Sequence, residues 1–323
     1  MALAPQPTAV VALGGNALLP RGEKPEAGTQ LRAARAAAQA VAPVADDFRL
    51  VVTHGNGPQV GLLALMGESF GDVEPYPLDV LDAESEGQIG YVVELELDNA
   101  MAGYETVALI TRVLVDENDP AFGEPSKFIG PVYAEADARA LASARGWTVK
   151  PDGDAWRRVV PSPEPSRILE LGAIRRLTTS GFVVVCAGGG GVPVVAGPDG
   201  LRGVEAVIDK DLCSALLARE LGAEVLVLAT DVDGVYLDWG SPDQRLLART
   251  TPDELRRHGF AAGSMGPKVE AACRFAEAGG RAAIGALGQL EGLLGGTSGT
   301  QVSGGDPATA GVVEAGTHEW EKR

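Results

Sequence analysis

The sequence predicts a doubly wound α/β sandwich, and three observations carry that reading. Short apolar runs recur at 9–13, 50–53, 107–110, 182–187 and 225–229. Each is rich in Val, Ile or Leu and apolar on both faces, as parallel strands are when helices cover both sides of their sheet. Between the runs lie Ala- and Leu-rich stretches of helical length at 26–42, 78–101, 166–178, 209–221 and 267–278. Strand–helix alternation of this kind builds a parallel sheet between two helical layers. Finally, a chain of 323 residues buries about three-quarters of its unfolded surface. It needs no disulfide staples.

Taken in order, residues 1–19 predict a buried strand and a turn. No basic segment precedes the apolar stretch, and Gly14-Gly15-Asn16 interrupts it, whereas a secretion signal has a basic start and an unbroken apolar core. The run at 50–53 ends in His54-Gly-Asn-Gly-Pro-Gln-Val-Gly61, with Pro58 fitted to the first position of a helix. Residues 116–165 break the alternation with seven prolines and two tryptophans. An excursion of that length is too long for a simple connection and reads as a lid or as a decorative subdomain. After about 302 the chain turns small, polar and acidic, the composition of a frayed or disordered tail.

Charge narrows the partners. Lys and Arg number 27 against 44 Asp and Glu, a net charge of −17. Such a surface repels phosphate backbones and anionic lipid, so neither nucleic acid nor membrane is an expected partner. No run approaches the ~18 apolar residues of a membrane span. Cys186, Cys213 and Cys273 form no CxxC and read as reduced core residues of a cytoplasmic protein.

The chemistry concentrates in glycine-rich turns after strands. Val11-Ala-Leu-Gly-Gly-Asn-Ala17, the 54–61 turn and Ala187-Gly-Gly-Gly-Gly-Val-Pro193 each leave the C-terminal end of a strand, where ligands of open α/β sheets bind. Glycine lets the backbone turn sharply and offer N–H groups to an anion. No G-x-x-x-x-G-K-[ST] is present, which excludes a P-loop enzyme. Gly55 and Gly57 start a dinucleotide-like pattern whose third glycine falls late, at Gly61, and no acidic residue follows at a strand end. No Cys/His cluster suggests zinc. His54 reads better as orienting its turn than as a general base. Lys210 and Lys268 each fall in the first turn of an expected helix. A cation there opposes the helix dipole unless an anion sits beside it, so the pair reads as a phosphate clamp.

At that point a resemblance emerges. The 11–17 and 54–61 motifs, Asn118-Asp-Pro with Pro125-Ser-Lys-Phe-Ile-Gly-Pro131, Arg157-Arg-Val-Val-Pro-Ser-Pro163, Gly188–Pro193, Glu205-Ala-Val-Ile-Asp-Lys-Asp211 and Gly263-Ser-Met-Gly-Pro-Lys268 resemble carbamate kinases of the amino-acid kinase superfamily. The likeness runs in order from about residue 8 to 300. Sister kinases for glutamate, acetylglutamate, aspartate and UMP share the architecture but lack this set.

The resemblance implies a three-layer αβα open sandwich on a mostly parallel eight-stranded sheet, acting as a homodimer. One domain would span 1–302, its 1–204 lobe holding carbamate or carbamoyl phosphate and carrying the 116–165 lid. The 205–302 lobe would hold MgATP or MgADP, and 303–323 would be a disordered tail. The implied reaction is ATP + carbamate ⇌ ADP + carbamoyl phosphate, run toward ATP in arginine or purine breakdown. By position, Gly14, Gly15, Asn16, Gly55, Asn56 and Gly57 would surround the substrate with N–H and amide donors. Lys210 and Lys268 would neutralise the phosphoryl in flight, Asp211 would orient them, and Lys127 would reach in from the lid. Thr230, Asp231, Asp233, Tyr236, Met265 and Lys268 would line the nucleotide, whose phosphates would hold Mg2+ without a protein-built metal site. Glu84, Glu86, Gly285 and Ala286 depart from the family pattern and put affinity or substrate in question. Two other readings remain open: a kinase of the same superfamily for another small carboxylate or phosphonate, and a non-catalytic nucleotide sensor.

Overall fold

The computed structural model describes residues 6–19, 22–69, 74–260, 265–304 and 311–313, with the backbone alone for 16 and 311–313. In the first half lie β1 (Thr8–Leu13), α1 (Gly15–Leu18), α2 (Ala27–Val41), β2 (Arg49–His54), α3 (Gly57–Ser69), α4 (Leu78–Ala100) and β3 (Thr106–Ala108). An excursion follows, with β4 (Arg112–Leu114), β5 (Lys127–Tyr133), α5 (Glu135–Arg145), β6 (Thr148–Asp152), β7 (Ala155–Val160) and β8 (Arg167–Ile168). The chain then returns through α6 (Leu171–Thr179), β9 (Val183–Val185), β10 (Val192–Gly197), β11 (Gly200–Gly203), α7 (Lys210–Leu221) and β12 (Val225–Thr230). It closes with β13 (Tyr236–Leu237), β14 (Arg245–Thr250), α8 (Pro252–Arg256), α9 (Met265–Glu277), β15 (Arg281–Ala286), α10 (Leu290–Gly295), β16 (Thr300–Ser303) and β17 (Gly311–Val313).

The main sheet runs β13-β14-β16-β15-β12-β1-β2-β9-β3, with β17 beside β14. From β15 to β3 every pairing is parallel. Setting aside the short edge pieces β13 and β17 leaves the eight expected strands.

Period-two geometry explains why the strand runs are apolar throughout. Val10, Ala12, Val51 and Leu226 face one core with Ile174, Leu217 and Phe275, from α6, α7 and α9. Their neighbours Ala9, Val11, Val52 and Val227 face the other core with Ala37, Ile89, Val93 and Leu293, from α2, α4 and α10. Helices cover both faces, so both sides of these strands are mainly apolar, with Thr53 paired to Ser214 Oγ near the end of β2.

Two expectations, the 166–178 helix and the start of the tail, meet a different structure. The helix expected over 166–178 is split: Arg167–Ile168 pairs antiparallel with β4, and the helix starts only at Leu171. Glu170 causes the split, because its carboxylate accepts from Arg112 N at 2.7 Å and Arg112 Nε at 2.8 Å, tying this stretch to β4. The 116–165 excursion has its own antiparallel sheet, β5-β7-β6, with α5. The expected tail begins inside β16, and Gly311–Val313 pairs with β14; 305–310 and 314–323 lie outside the described residues.

Parallel register brings the functional loops to one edge. Leu13 pairs His54, and Thr230 pairs Ala286, so the turns after β1, β2, β12 and β15 all leave the C-terminal edge of the sheet.

Candidate active site

Three lysines from three elements converge on two carboxylates. Asp209 is the N-cap of α7, its Oδ1 accepting from Asp211 N at 2.9 Å and Leu212 N at 3.2 Å. Its Oδ2 lies 2.5 Å from Lys127 Nζ at the start of β5. Asp211 takes Lys210 Nζ on Oδ1 at 2.5 Å and Lys268 Nζ on Oδ2 at 2.8 Å. The structure therefore brings Lys210, Lys268 and Asp211 together. Asp209 was not anticipated as a partner for Lys127. Its legible signal was only that of an N-cap, an Asp directly before a helix.

Burial shapes the charges here. It lowers Lys210 to about 8, a shift that Asp211 opposes and neighbouring Lys268 reinforces. Burial also works against ionised Asp211, yet the two ammonium groups hold it well below the usual carboxylate range. Lys268 moves up: burial opposes its charge, but Asp211, Asp209 and Asp231 outweigh that. The two clamp lysines differ because Lys210 gives up more hydration for its one close carboxylate.

The turns after β1 and β2 lie against this cluster. A Cβ on Gly14 would stand 2.8 Å from Ala229 O, and one on Gly55 would meet Gly15 N at 3.5 Å and Lys210 Cε at 3.6 Å. Gly15 and Gly57 open α1 and α3, and first-turn N–H groups have no partner within a helix. These are the donors an anion would meet. Asn56 departs from its expected part, because its side-chain Nδ2 is spent on Asp82 Oδ1 and Ser85 Oγ, each at 3.0 Å.

His54 is buried and lowered to about 4, by burial first and by Lys210, against the pull of the Gly55 carbonyl. Its Nδ1 sits 3.2 Å from Gly55 O. A neutral ring facing its own turn is an orienting group.

The third glycine turn does not line the site. Gly188, Gly189, Gly190 and Gly191 are buried, and Gly188 N donates to Glu86 Oε1 at 2.8 Å. A Cβ on Gly188 would lie 2.3 Å from His54 Cε1, and one on Gly189 2.2 Å from Asn56 Nδ2. The turn is a bracket behind the 54–57 loop.

On the other flank, Thr230 Oγ1 donates to Asp231 Oδ1 at 3.2 Å just after β12. Tyr236 is raised by burial and by Asp233, and its ring centroid lies 5.3 Å from that of Trp239. Met265 opens the helix that carries Lys268 and packs on the core below α7 and α9. Gly285 has a packing reason: a Cβ there would lie 2.9 Å from Asp233 O. Glu84 is exposed, while Glu86 is buried.

The excursion docks through glycine and arginine. A Cβ on Gly61 of α3 would lie 2.0 Å from Gly130 Cα, so two backbones meet where β5 crosses α3. Gly130, at φ +70°, also offers its carbonyl to Arg157 Nε at 2.7 Å. At the far end of α3, Glu68 pairs with Arg145 and Arg158, which flank the Trp147 ring at 4.9 and 4.7 Å. A groove lined by Arg219, Pro252, Phe275 and Ser303 lies at the opposite edge of the sheet and contains none of these groups.

The chain is similar to known carbamate kinases in sequence and in fold. Carbamate kinase of Rhizobium meliloti is 53% identical over 299 residues, covering 91% of this chain and 92% of that one. The Haemophilus influenzae carbamate kinase is 49% identical over 298 residues, 91% of this chain and 96% of its own. The solved carbamate kinase of Giardia lamblia bound to AMP-PNP superposes with a TM-score of 0.83 at 37% identity, over 93% of this chain and 99% of that one. Matched over residues 7–284 by the model of the amino acid kinase family, and by carbamate kinases over nine-tenths of its length, the chain belongs to the amino acid kinase family.

Proposed function

We propose that the chain catalyses reversible phosphoryl transfer, ATP + carbamate ⇌ ADP + carbamoyl phosphate. One observation carries the reading: Lys210 and Lys268, from separate helices, meet on Asp211 beside the glycine turns after β1 and β2. Phosphoryl transfer asks little covalent chemistry of a protein, so positioning and charge neutralisation supply most of the rate. Lys210 and Lys268 neutralise the oxygens of the moving phosphoryl, while Asp211 holds their ammonium groups in place. Gly14, Gly15, Asn16, Asn56 and Gly57 offer backbone N–H groups to the substrate anion, while Gly55, whose own N–H is held by Leu13 O at 3.2 Å, leaves the space beside Lys210 open. Carbamate is already an anion, so its oxygen attacks without a general base. That suits a site whose nearby histidine is buried and neutral.

Lys127, carried on the 116–165 lid, reaches the substrate side and keeps water from the labile mixed anhydride. Thr230, Asp231, Asp233, Tyr236 and Met265 flank the nucleotide in the 205–302 lobe. Mg2+ would come as part of the nucleotide substrate, held by its phosphates, and would supply charge screening there. Asp209 and Asp211 are taken up by lysines, and no group of three His, Cys, Asp or Glu among the described residues could hold a metal. The chain works in the cytoplasm as a homodimer, making ATP during arginine or purine breakdown. Leu31, Tyr91 and Leu95, exposed on the two helices joined by Arg35–Glu96, supply apolar surface for a second copy.

A coupled assay tests the reading: ATP formation from ADP with carbamoyl phosphate, acetyl phosphate or a phosphonate anhydride as donor. The expected result is ATP from carbamoyl phosphate well above the others. A preference for another donor would move the chain to a sister activity, and tight ADP binding without any ATP would make it a sensor.

A further inference from the structure

A buried polar cluster lies behind the 54–57 loop and takes no part in the proposed chemistry. α4 carries Asp82, Ser85 and Glu86 within one helical turn, all of them buried. Residues three and four apart share a helix face, so Asp82 lies beside both partners. Asp82 and Ser85 hold the Asn56 amide, as described, and Glu86 holds two backbones. Its Oε1 accepts from Gly188 N at 2.8 Å and its Oε2 from Thr111 N at 3.0 Å. From the opposite side, Gly188 and Gly189 approach His54 and Asn56 so closely that neither has room for a Cβ. The loop is thus gripped between α4 and the bracket turn, with Gly55 beside Lys210.

These acids are expensive to keep. Burial pushes Glu86 up to about 8 and Asp82 well above the carboxylate range, and Asp82 Oδ2 and His54 Nε2 have no partner among the described residues. A position needed only for packing would be served by Leu or Met, since burying a polar group without full pairing is unfavourable. Glu86 also gives the family departure a physical sense. A glutamate side chain, ionised or not, offers an accepting oxygen to each of the two backbone N–H groups, whereas a glutamine would have to receive both on one.

We propose that Asp82 and Glu86 are positioning residues for carbamoyl phosphate, fixing the 54–57 loop through Asn56 and Gly188 in the shape that receives the anion. The substrate named here rests on the carbamate kinase reading; the grip on the loop does not. Neither side chain touches the reacting atoms, and both act through the loop they hold.

The experiment compares Asp82→Leu, Asp82→Asn and Glu86→Gln with the wild-type protein. Asp82→Leu removes the acceptor while keeping the branching at Cγ, whereas Asp82→Asn keeps an oxygen for Asn56. For Asp82→Leu, KM for carbamoyl phosphate should rise about tenfold, the scale of one lost buried hydrogen bond. KM for ADP should stay within about twofold, the signature of a contact made on one substrate only. Asp82→Asn should recover most of the loss, and Glu86→Gln should fall between the two. Amide hydrogen exchange at 55–60 should quicken in Asp82→Leu and return toward wild type in Asp82→Asn. A merely structural role would lower the melting temperature and shift both KM values alike, or neither, with exchange at 55–60 unchanged; that pattern overturns the inference. If the wild-type protein makes no ATP, the reaction reading falls, and the exchange data alone decide whether the grip exists.

Discussion

The turns after β2 and β9 leave neighbouring parallel strands at the same edge of the sheet, and both are dense in glycine. Their glycines serve opposite ends. Gly55 and Gly57 keep side chains away from a space bordered by Lys210 and the first turn of α3, so glycine there exposes backbone. Gly188 and Gly189 sit where a Cβ would strike His54 and Asn56, so glycine there permits contact. The first turn lies beside Lys210, and the second packs against the first. A strand followed by glycines therefore locates the working edge of such a sheet without telling which turn faces the ligand. Burial and hydrogen-bond partners settle that.

The largest effect expected on the ligand-facing side comes from the clamp beside Gly55. Lys210→Ala and Lys268→Ala should each lower kcat by about 10²–10³, the usual loss when one transition-state contact is removed. ADP affinity, measured by calorimetry, should change far less. Near-normal kcat in either variant removes that lysine from the clamp.

Next in size is the bracket turn. Gly189→Ala places a Cβ 2.2 Å from Asn56 Nδ2 at a residue with φ +68°. Left-handed strain and overpacking together cost about 2–4 kcal/mol, which denaturant titration will show. Unchanged stability would make the two turns equivalent and break the comparison.

The clamp should also carry a pH signature. Lys210, lowered to about 8, loses its charge as pH rises through that value, so kcat/KM for carbamoyl phosphate should fall above it. Its neighbour Lys268 is raised and stays charged over the same range. Lys210→Arg keeps the charge, because a guanidinium does not deprotonate there, and should move the falling limb out of reach. A limb left in place by that substitution belongs to another group.

The smallest effect sharpens the contrast. Gly55→Ala meets only ordinary contacts at 3.5 Å and beyond, so its stability should stay within about 1 kcal/mol of wild type. Its KM for carbamoyl phosphate should still rise, because the new methyl borders Lys210. Loss of stability on the scale of Gly189→Ala would show that Gly55 too is a packing residue.

Sequence patterning reached the central sheet because its strands are apolar on both faces, and the clamp because lysine in a first helical turn is electrostatically odd. It failed where partners are distant along the chain. Glu170 drew 167–168 into a strand through Arg112, 58 residues away, and Asp209 found Lys127 across 82 residues. The inward turn of the Asn56 amide depends on Asp82, on a different helix. Short, polar strands such as Thr148–Asp152 have no apolar period and could be read only as an excursion.

The central claim is that phosphoryl passes directly between carbamoyl phosphate and ADP at the lysine pair. Phosphorus NMR on the protein with MgADP and carbamoyl phosphate tests it most directly, with Lys210→Ala and Lys268→Ala run beside wild type. ATP resonances should grow as carbamoyl phosphate disappears, one for one, and both variants should slow this by about 10² or more. Free phosphate accumulating without ATP, or variants that transfer as fast as wild type, would contradict it.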